Sequence, residues 1–383
     1  MEIKQEIFRI NIETLTPVHV GSGRKLMANS EFIIRPVRSK ETGEAIKKIG
    51  IIDEEKVLNI IGSDRIDEWI NVIDKNGDLI NLLKDAKADV GIKDFALRTI
   101  LLEKKEQGSE NFLKEQLFTS NMPLIPGSSL KGSIRTAILN NILKKRETPF
   151  PDTIFTDRRN NLNDENIQHE IFGKDPNNDI FRFIQIGDIH FTKSKTVALN
   201  LLNLNIRHKG AEHDSSKSVL TECIPANEKA SCRIKLALNH AGMARIKAGI
   251  DKNHLVPENL AQLFNIINSH TLNLIDQEID IWEDYSDSPD VENYIKELEW
   301  LKTNISELTE KSCIIRLGHG SGWRFMTGAW PESEKLVTAE MQEKIINAAR
   351  PRNHQYSEYI FPKSRRMDEQ GELLGFIKLS AED

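Results

Sequence analysis

Short segments in which apolar and polar residues alternate recur along the whole chain, and this pattern constrains the fold more strongly than any other feature. FRINIE, residues 8–13, has the period of two that is typical of a strand with one buried face. Similar segments predict strands at 181–191, 197–206, 232–238, 313–317 and 373–379, and TPVHVGSG at 16–23 predicts a strand that ends in glycines. Strands therefore outnumber long core helices.

Helical spacing of apolar residues is confined to a few stretches. It predicts a helical insertion over about 53–116 and helices at 257–272 and 339–349. A further helix is predicted in IPGSSLKGSIRTAILNNILKK, where proline and glycine break the chain and a serine side chain serves as N-cap. Strands, a helix and more strands in each half favour an α+β fold of two sheet-and-helix modules. We place them at 1–192 and 193–383, the second with a helical insertion over about 245–310.

The overall composition is that of an ordinary folded chain. It has 383 residues, 39% of them hydrophobic and 29% charged, enough for two domains of typical size. The net charge of −6 means that any surface for nucleic acid must be local. Cys223, Cys232 and Cys313 are too few and too scattered for a disulfide framework, which favours a cytoplasmic location. No long apolar run predicts a membrane span or a secretion signal.

Charge is unevenly distributed in the second half. Residues 276–310 contain twelve acidic residues and two lysines, whereas residues 311–366 contain ten basic and five acidic residues. An acidic run of this kind is typical of solvated helical faces. The basic region is more informative because glycines interrupt it.

The strongest candidate for chemistry is the glycine-rich loop RLGHGSGWRFMTG, residues 316–328, which follows a predicted strand. Glycine lacks a Cβ atom, so such a loop can turn its amide hydrogens toward a phosphate. Arg316 and Arg324 add charge, and His319 and Trp323 add flat rings for stacking. A glycine-rich turn beside a sheet edge explains the same residues.

The second candidate is the helix start PGSSLKGSIRTA, residues 126–137. The unpaired N–H groups of a helix N-terminus favour phosphate, with Ser128, Ser129, Lys131 and Arg135 nearby. It is not a Walker loop, because glycine follows the lysine where serine or threonine is needed. A plain capped helix is the alternative.

Three weaker signals complete the set of candidates. His19 lies in TPVHVGSG, and a lone histidine is more often structural than catalytic. FPKSRR, residues 361–366, is a compact basic cluster, and RHKGAEH, residues 207–213, is a positively charged hairpin tip, although exposed turns explain both. The sequence contains no pattern typical of a metal site or a nucleophile elbow, so we expect no metal and no cofactor.

Taken in order, these segments resemble a known family. TPVHVGSG, IPGSSLKGSIRTA, FRFIQIGDIHF at 181–191 and RLGHGSGWRFMTG followed by FPKSRR resemble the RAMP superfamily of CRISPR-associated proteins over nearly the whole chain. With the ECIP segment at 222–225 and the LLGFIKLS end, the order is similar to the fifth-subunit family of type III-A Csm effector complexes.

The resemblance implies a pair of ferredoxin-like, RRM-related modules and a subunit that caps the 3′ end of a CRISPR RNA filament. It implies as partners the CRISPR RNA, the other Csm subunits, chiefly the adjacent filament RAMP subunit, target RNA and host maturation nucleases, with no membrane partner. The roles implied are CRISPR RNA maturation and antiviral defence. The implied RNA-binding residues are Gly127, Ser128, Ser129, Lys131, Arg135, Gly318, His319, Gly320, Ser321, Gly322, Trp323, Arg324, Lys363, Arg365, Arg366, His19, Arg207 and Lys209.

The sequence departs from the family in one respect that concerns cleavage. Neighbouring filament subunits of this superfamily use an aspartate in an early loop, and GRKLMANSEFII at 23–34 offers none. We therefore expect a binding subunit and not an enzyme. The alternatives are a metal-independent endoribonuclease using His19 or His319, and a protein scaffold that acts through the acidic segment and the helical insertion.

Overall fold

The computed structural model describes residues 6–39, 43–75, 77–103, 111–156, 161–207, 210–237, 257, 259–350 and 360–382. Within these ranges the chain has a mixed α+β fold. The strands are β1 (Glu6–Thr14), β2 (Gly21–Met27), β3 (Phe32–Arg38), β4 (Ala45–Ile52), β5 (Ala96–Glu103), β6 (Phe112–Gln116), β7 (Phe118–Thr119), β8 (Met122–Ile125), β9 (Ile184–Ile186), β10 (Ile189–His190), β11 (Val197–Arg207), β12 (Gly210–Cys223), β13 (Lys229–Leu236), β14 (Ser312–Arg316), β15 (Ser364–Asp368) and β16 (Phe376–Ala381).

The helices fall into three groups along the chain, and short 3-10 turns lie between some of them and before β9. They are α1 (Glu54–Ile61), α2 (Ile66–Asp74), α3 (Leu79–Ala86), α4 (Ile92–Phe95), α5 (Gly127–Leu143), α6 (Glu165–Phe172), α7 (Leu260–Glu283), α8 (Pro289–Ser306), α9 (Gly322–Thr327) and α10 (Ala339–Ala349).

A five-stranded antiparallel sheet, in the order β14-β16-β1-β13-β9, forms the centre of the molecule. Its first strand has the predicted alternation, since Ile10 and Ile12 are buried and Arg9 and Asn11 are exposed. β1 pairs with β13 on one side and with β16 on the other, so strands from both sides of residue 193 share this sheet. The division into two modules at that residue stays a prediction.

A longer sheet, in the order β2-β6-β12-β11-β5-β4-β3 with β15 added to β11, carries most of the remaining strands. β11 and β12 pair antiparallel up to Arg207 and Gly210, which agrees with the hairpin predicted around 207–213; residues 208 and 209 lie outside the described ranges. β8 forms a small separate sheet with β7 and β10. The short strand β2 is the edge of the long sheet next to β6.

Two helices cover the central sheet. Ile134 and Ile138 of α5 and Phe264 of α7 share one hydrophobic core with Ile10 and Ile234 of the sheet. A second core lies between α7, α8 and the strands β11, β15 and β16, where Trp282 and Tyr294 are fully buried. Helices α1–α4 form a third core over one end of the long sheet. Helix α7 is buried in the first two of these cores. The helical insertion predicted over about 245–310 stays a prediction, and residues 245–256 lie outside the described ranges.

The helical insertion predicted over about 53–116 is shorter than expected. Helices end at Phe95, and the rest of that stretch contributes β5 and β6 to the long sheet. In β5, Ile100 and Leu102 are buried on one face between β4 and β11, so the period of two governs this part of the chain.

Two other predicted elements differ in detail. The strand predicted at 181–191 is divided into a 3-10 turn at Ile180–Phe183, β9 and β10, and the last two join different sheets. The strand predicted at 16–23 begins only at Gly21, because the preceding residues form an isolated bridge between Val18 and Ile224. Strands β11, β13, β14 and β16 and helix α10 confirm the other predictions over the residues described.

Candidate nucleic-acid interface

The glycine-rich loop directly follows β14, as predicted, and needs its glycines. Gly318, Gly320 and Gly322 have φ angles of 80°, 88° and 77°, a region that side chains with a Cβ rarely adopt. A Cβ atom on Gly318 would lie 2.5 Å from the backbone oxygen of His19. Ser321 stabilises the turn by donating its hydroxyl to the carbonyl of Gly318. Among the described residues, the N–H groups of Gly318 and Gly320 meet no acceptor, so they are available to an anion.

The segment around His19 lies against this loop. The N–H of His319 donates to the carbonyl of His19 at 2.8 Å, and the two imidazole rings meet edge to face with centroids 5.6 Å apart. His19 Nδ1 lies 2.6 Å from the carbonyl oxygen of Glu222, so Nδ1 carries the proton and donates. His19 is only 3% exposed. The structure therefore brings TPVHVGSG and RLGHGSG together, with His19 as a support beneath the loop.

The predicted helix start is placed differently. The N-cap is Pro126 and not a serine, and the N–H of Gly127 donates to the carboxylate of Asp188 at 2.8 Å. Gly127 is buried against the backbone of Ile186, so its amide is not open to a phosphate. Contact with the glycine-rich loop comes from the middle of α5 instead, where Thr136 donates to the carbonyl of Met326. At 1.5 Å per residue, the helix start lies about 13 Å from that contact.

The other residues of the helix start lie in a groove of mixed charge. Ser128 is exposed, Ser129 is half-buried, and burial lowers the pKa of Lys131. Arg135 donates to Asp179 at 2.9 Å and to Gln168 at 3.0 Å, and its guanidinium lies over the ring of Phe172. Lys131 is thus the more available cation of the two.

Two of the predicted RNA-binding arginines lie inside the protein. Arg365 alternates inward along β15 and binds both carboxylate oxygens of Glu278, and Arg324 pairs with Glu332 at 2.5 Å. Glu278 is 1% exposed and also accepts the hydroxyl of Tyr294 at 2.6 Å. Burial would raise the pKa of Glu278, but these partners, chiefly Arg365, hold it below its ordinary value. FPKSRR is therefore not a compact basic surface.

A third buried arginine holds the glycine-rich loop from below. Arg316 donates from Nε to the carbonyl of Leu374 at 2.9 Å and from Nη2 to the carbonyl of Gly320 at 3.1 Å. Its guanidinium lies between the rings of Phe325 and Phe376, and burial lowers its pKa to about 10. Arg316 fixes the conformation of the loop and does not face solvent.

The structure describes three of the four remaining predicted residues. Trp323 is half-buried and packs edge to face against Phe361 with ring centroids 5.1 Å apart. Lys363 is half-buried and its carbonyl accepts the N–H of Ile206. Arg207 is the last residue of β11, and Lys209 falls outside the described residues.

The loop adjoins a group of cations that sequence reasoning missed in part. Lys25 of β2 and Lys114 of β6 are directly paired in the register, and Lys114 Nζ lies 3.2 Å from Nε2 of His319. Burial, Arg366 and Lys25 lower the pKa of Lys114. We call Lys25, Lys114, His319 and Arg366 the basic seam. Its two lysines are signalled only by the strand register, which depends on residues far apart in sequence.

Within the described part of the chain, the cations of the basic seam, Lys25, Lys114 and Arg366, have no carboxylate in an ion pair with them. The guanidinium of Arg366 donates instead to the carbonyl of Leu201 at 3.4 Å. Burial and the charges of Lys114, His19 and Arg366 lower the pKa of His319 to about 4. Like charges directly opposite on paired strands destabilise a sheet, so the seam favours a bound anion.

The neutral state of two deeply buried histidines makes stability pH-dependent. Burial, the main cause, lowers the pKa of His19 and of His270 to about 4, whereas both ionise near 6.5 when unfolded. The unfolded chain then binds more protons below pH 6.5, so stability is lost as pH falls. We expect a loss of about 1.4 kcal/mol per histidine at pH 5.5. Urea denaturation at pH 7.5 and 5.5 measures this loss of stability. If the difference in stability between the two pH values is the same in His270→Leu as in the wild type, His270 does not contribute to the loss.

The described residues contain no group of side chains arranged to hold a metal ion. None of the helices seen in the described ranges has both the length and the hydrophobicity to cross a membrane.

Comparison with known proteins gives a consistent relationship. The model of the RAMP superfamily matches residues 11–325. The CRISPR system Cms protein Csm5 of Methanocaldococcus jannaschii is 30% identical over 190 residues, which cover 47% of this chain and 42% of that protein. The chain thus spans less than half the length of this relative.

Solved structures share the fold over almost the whole chain. A chain of a cryo-EM structure of a Csm–crRNA–target RNA ternary complex, from a type III-A CRISPR-Cas system, has a TM-score of 0.70 at 17% identity, covering 98% of this chain and 100% of that chain. The crystal structure of T. onnurineus Csm5 has a TM-score of 0.63 at 14% identity, covering 96% and 99%. Because the family match extends over residues 11–325, well over half of this chain, the protein belongs to the RAMP superfamily.

Proposed function

We propose that this protein is a Csm5-like subunit of a type III-A CRISPR Csm complex that binds RNA through the basic seam and the glycine-rich loop. The observation that carries the proposal is the direct pairing of Lys25 with Lys114, beside His319 and Arg366, without an acidic partner among the described residues. An RNA backbone supplies the regular negative charge that such a seam needs.

The composition of the seam favours sequence-independent binding. Lysine is a point charge that contacts phosphates from many directions, and backbone N–H groups of the glycine-rich loop add donors that do not read a base. A subunit that holds guide RNAs of any sequence requires contacts of this kind. The similarity to a chain of a Csm–crRNA–target RNA complex supports CRISPR RNA as the ligand.

The finer assignments extend this proposal. The subunit closes the 3′ end of the CRISPR RNA filament beside the adjacent RAMP subunit, in the cytoplasm, and supports CRISPR RNA maturation and antiviral defence. Target RNA and host maturation nucleases are further partners. The fold is interpreted as two ferredoxin-like modules, 1–192 and 193–383, that share the central sheet. The α+β fold and the similarity to T. onnurineus Csm5 support this interpretation.

We propose that neither histidine of the pair is a general acid. A general acid must be protonated near neutral pH, whereas burial lowers the pKa of His19 and of His319 to about 4. His19 is also almost fully buried, so it has no access to a ribose hydroxyl.

Replacement of Lys114 or Arg366 by glutamine tests the proposal. We expect each variant to bind single-stranded RNA more weakly, to a similar degree for unrelated sequences, and to reduce the log–log salt slope by about 0.7 per lost phosphate contact. Fluorescence anisotropy over a salt series measures both. Lys229→Gln is the control. Lys229 is exposed, pairs with Glu13, and belongs to β13 of the central sheet and not to the long sheet that carries the basic seam.

Two outcomes would count against the proposal. Binding that does not depend on salt, or that is unchanged in both variants, would favour a protein scaffold. Cleavage of the labelled RNA that disappears in His19→Ala or His319→Ala would establish an endoribonuclease instead.

A further inference from the structure

A pair of large apolar side chains lies exposed beside the basic seam. Met27 of β2 and Phe112 of β6 are directly opposite in the register and are 49% and 48% exposed. Residues two apart on a strand share a face, so this pair lies on the same face as Lys25 and Lys114, about 7 Å farther along. The two strands thus present an apolar pair next to a cationic pair.

The other face of the same strands accounts for their packing. Leu26 and Leu113 point into a hydrophobic core, where they are 1% and 0% exposed, together with Leu220 of β12. The alternation that buries these leucines necessarily turns Met27 and Phe112 outward. Packing of the core therefore does not require an aromatic ring at residue 112, since a polar side chain could occupy this exposed position equally well.

We propose that Phe112, backed by Met27, is a stacking platform for an unpaired nucleobase of the RNA whose phosphates contact Lys25 and Lys114. This inference rests on the proposed function and adds base stacking to it. The adjacent lysines identify the occupant, because a nucleotide carries both a flat apolar base and a phosphate, matching the apolar and cationic pairs at once. Every base has a π-face, so such a platform does not select sequence.

The neighbouring thioether completes the platform. Met27 is unbranched and flexible, so it can fill the space beside a base of either size, purine or pyrimidine. On β6, Gln116 lies on the other side of Lys114 from Phe112, and its side chain accepts the N–H of Val20, the residue after His19. His19 in turn binds His319, whose Nε2 lies 3.2 Å from Lys114 Nζ. The RNA strand would then run from the glycine-rich loop across Lys114 to Phe112.

Fluorescence of 2-aminopurine tests the platform on the full-length chain. Short single-stranded RNAs carrying this base at successive positions should show quenching at one position on binding. We expect Phe112→Ala to abolish that quenching and to weaken binding by about 5- to 100-fold, with an unchanged salt slope. Phe112→Tyr should restore both, because the ring is what stacks. Leu97→Ala is the matched control, since Leu97 is 54% exposed on β5 of the same sheet.

The outcomes separate the platform from the proposed function. If Phe112→Ala binds and quenches like wild type while Lys114→Gln weakens binding, the platform is wrong and the RNA-binding seam stands. Equal binding by Phe112→Leu and Phe112→Tyr would also refute stacking. If wild type binds no RNA even at low salt, the proposed function fails and the platform with it. Loss of assembly into the Csm complex, with RNA affinity unchanged, would make the surface a protein contact.

Discussion

Replacement of Glu278 by glutamine is expected to lower the free energy of unfolding by about 3–5 kcal/mol, because it leaves buried arginines without their shared carboxylate. Arg365 binds both oxygens of Glu278, and Arg324 Nε lies 3.7 Å from it. Arg316 is buried nearby and has no acidic partner of its own among the described residues. Urea denaturation followed by circular dichroism measures the loss.

A control on the same helix isolates this effect. Glu283→Gln changes an exposed residue at the end of α7 and should shift stability by less than about 0.5 kcal/mol. A loss in Glu278→Gln no larger than in this control would mean that the arginines find other acceptors. RNA affinity measured on the folded variant should fall as well, since Arg316 and Arg324 underlie the glycine-rich loop.

Substitution of Gly127 by alanine should cost about 1–3 kcal/mol, although alanine ordinarily favours a helix. A Cβ atom at this position would lie 2.2 Å from the carbonyl oxygen of Ile186, and the obstacle is backbone, which cannot rotate away. The N–H of Gly127 also holds Asp188, so displacement of the helix start would break that hydrogen bond. Thermal unfolding measures the change.

Gly132→Ala provides the opposite expectation in the same helix. Apart from the helix's own backbone and the two chain neighbours, no atom of the described residues lies within 4 Å of a Cβ built at Gly132, so alanine there should stabilise the protein by about 0.5–1 kcal/mol. If both variants shift stability in the same direction, close approach to the backbone of Ile186 does not explain why residue 127 is a glycine.

Local pattern was sufficient for much of the fold. The alternation of residues 8–13 predicted β1, and the apolar run at 197–206 predicted β11 almost to its ends. β1 buries one face against a core, which a period of two records directly, whereas β11 is buried on both faces and reads as an apolar run. The glycines at 318, 320, 322 and 328 likewise signalled positive φ angles, although residues 322–327 of the predicted loop form the short helix α9.

Features that depend on distant partners could not be predicted. The sequence assigns Glu278 to a solvated acidic run and Arg365 to an exposed basic cluster, yet the packing of α7 on β15 joins them in the interior. Lys25 and Lys114 become a pair only through the β2–β6 register. The sign and number of charges can be read from the sequence. Whether a charge has a neutralising partner, and which residue that partner is, depends on the fold.

The position of β1 has a consequence for how the protein acquires its structure. The residues of this strand are synthesised early, but they can complete their hydrogen bonds only with β13 and β16, which follow more than 200 and more than 360 residues later. Loop closure over such separations is slow, and until then an apolar strand has open edges on both sides. The nascent chain therefore depends on synthesis through β16, and on protection of β1 from other chains, before the central sheet can be completed.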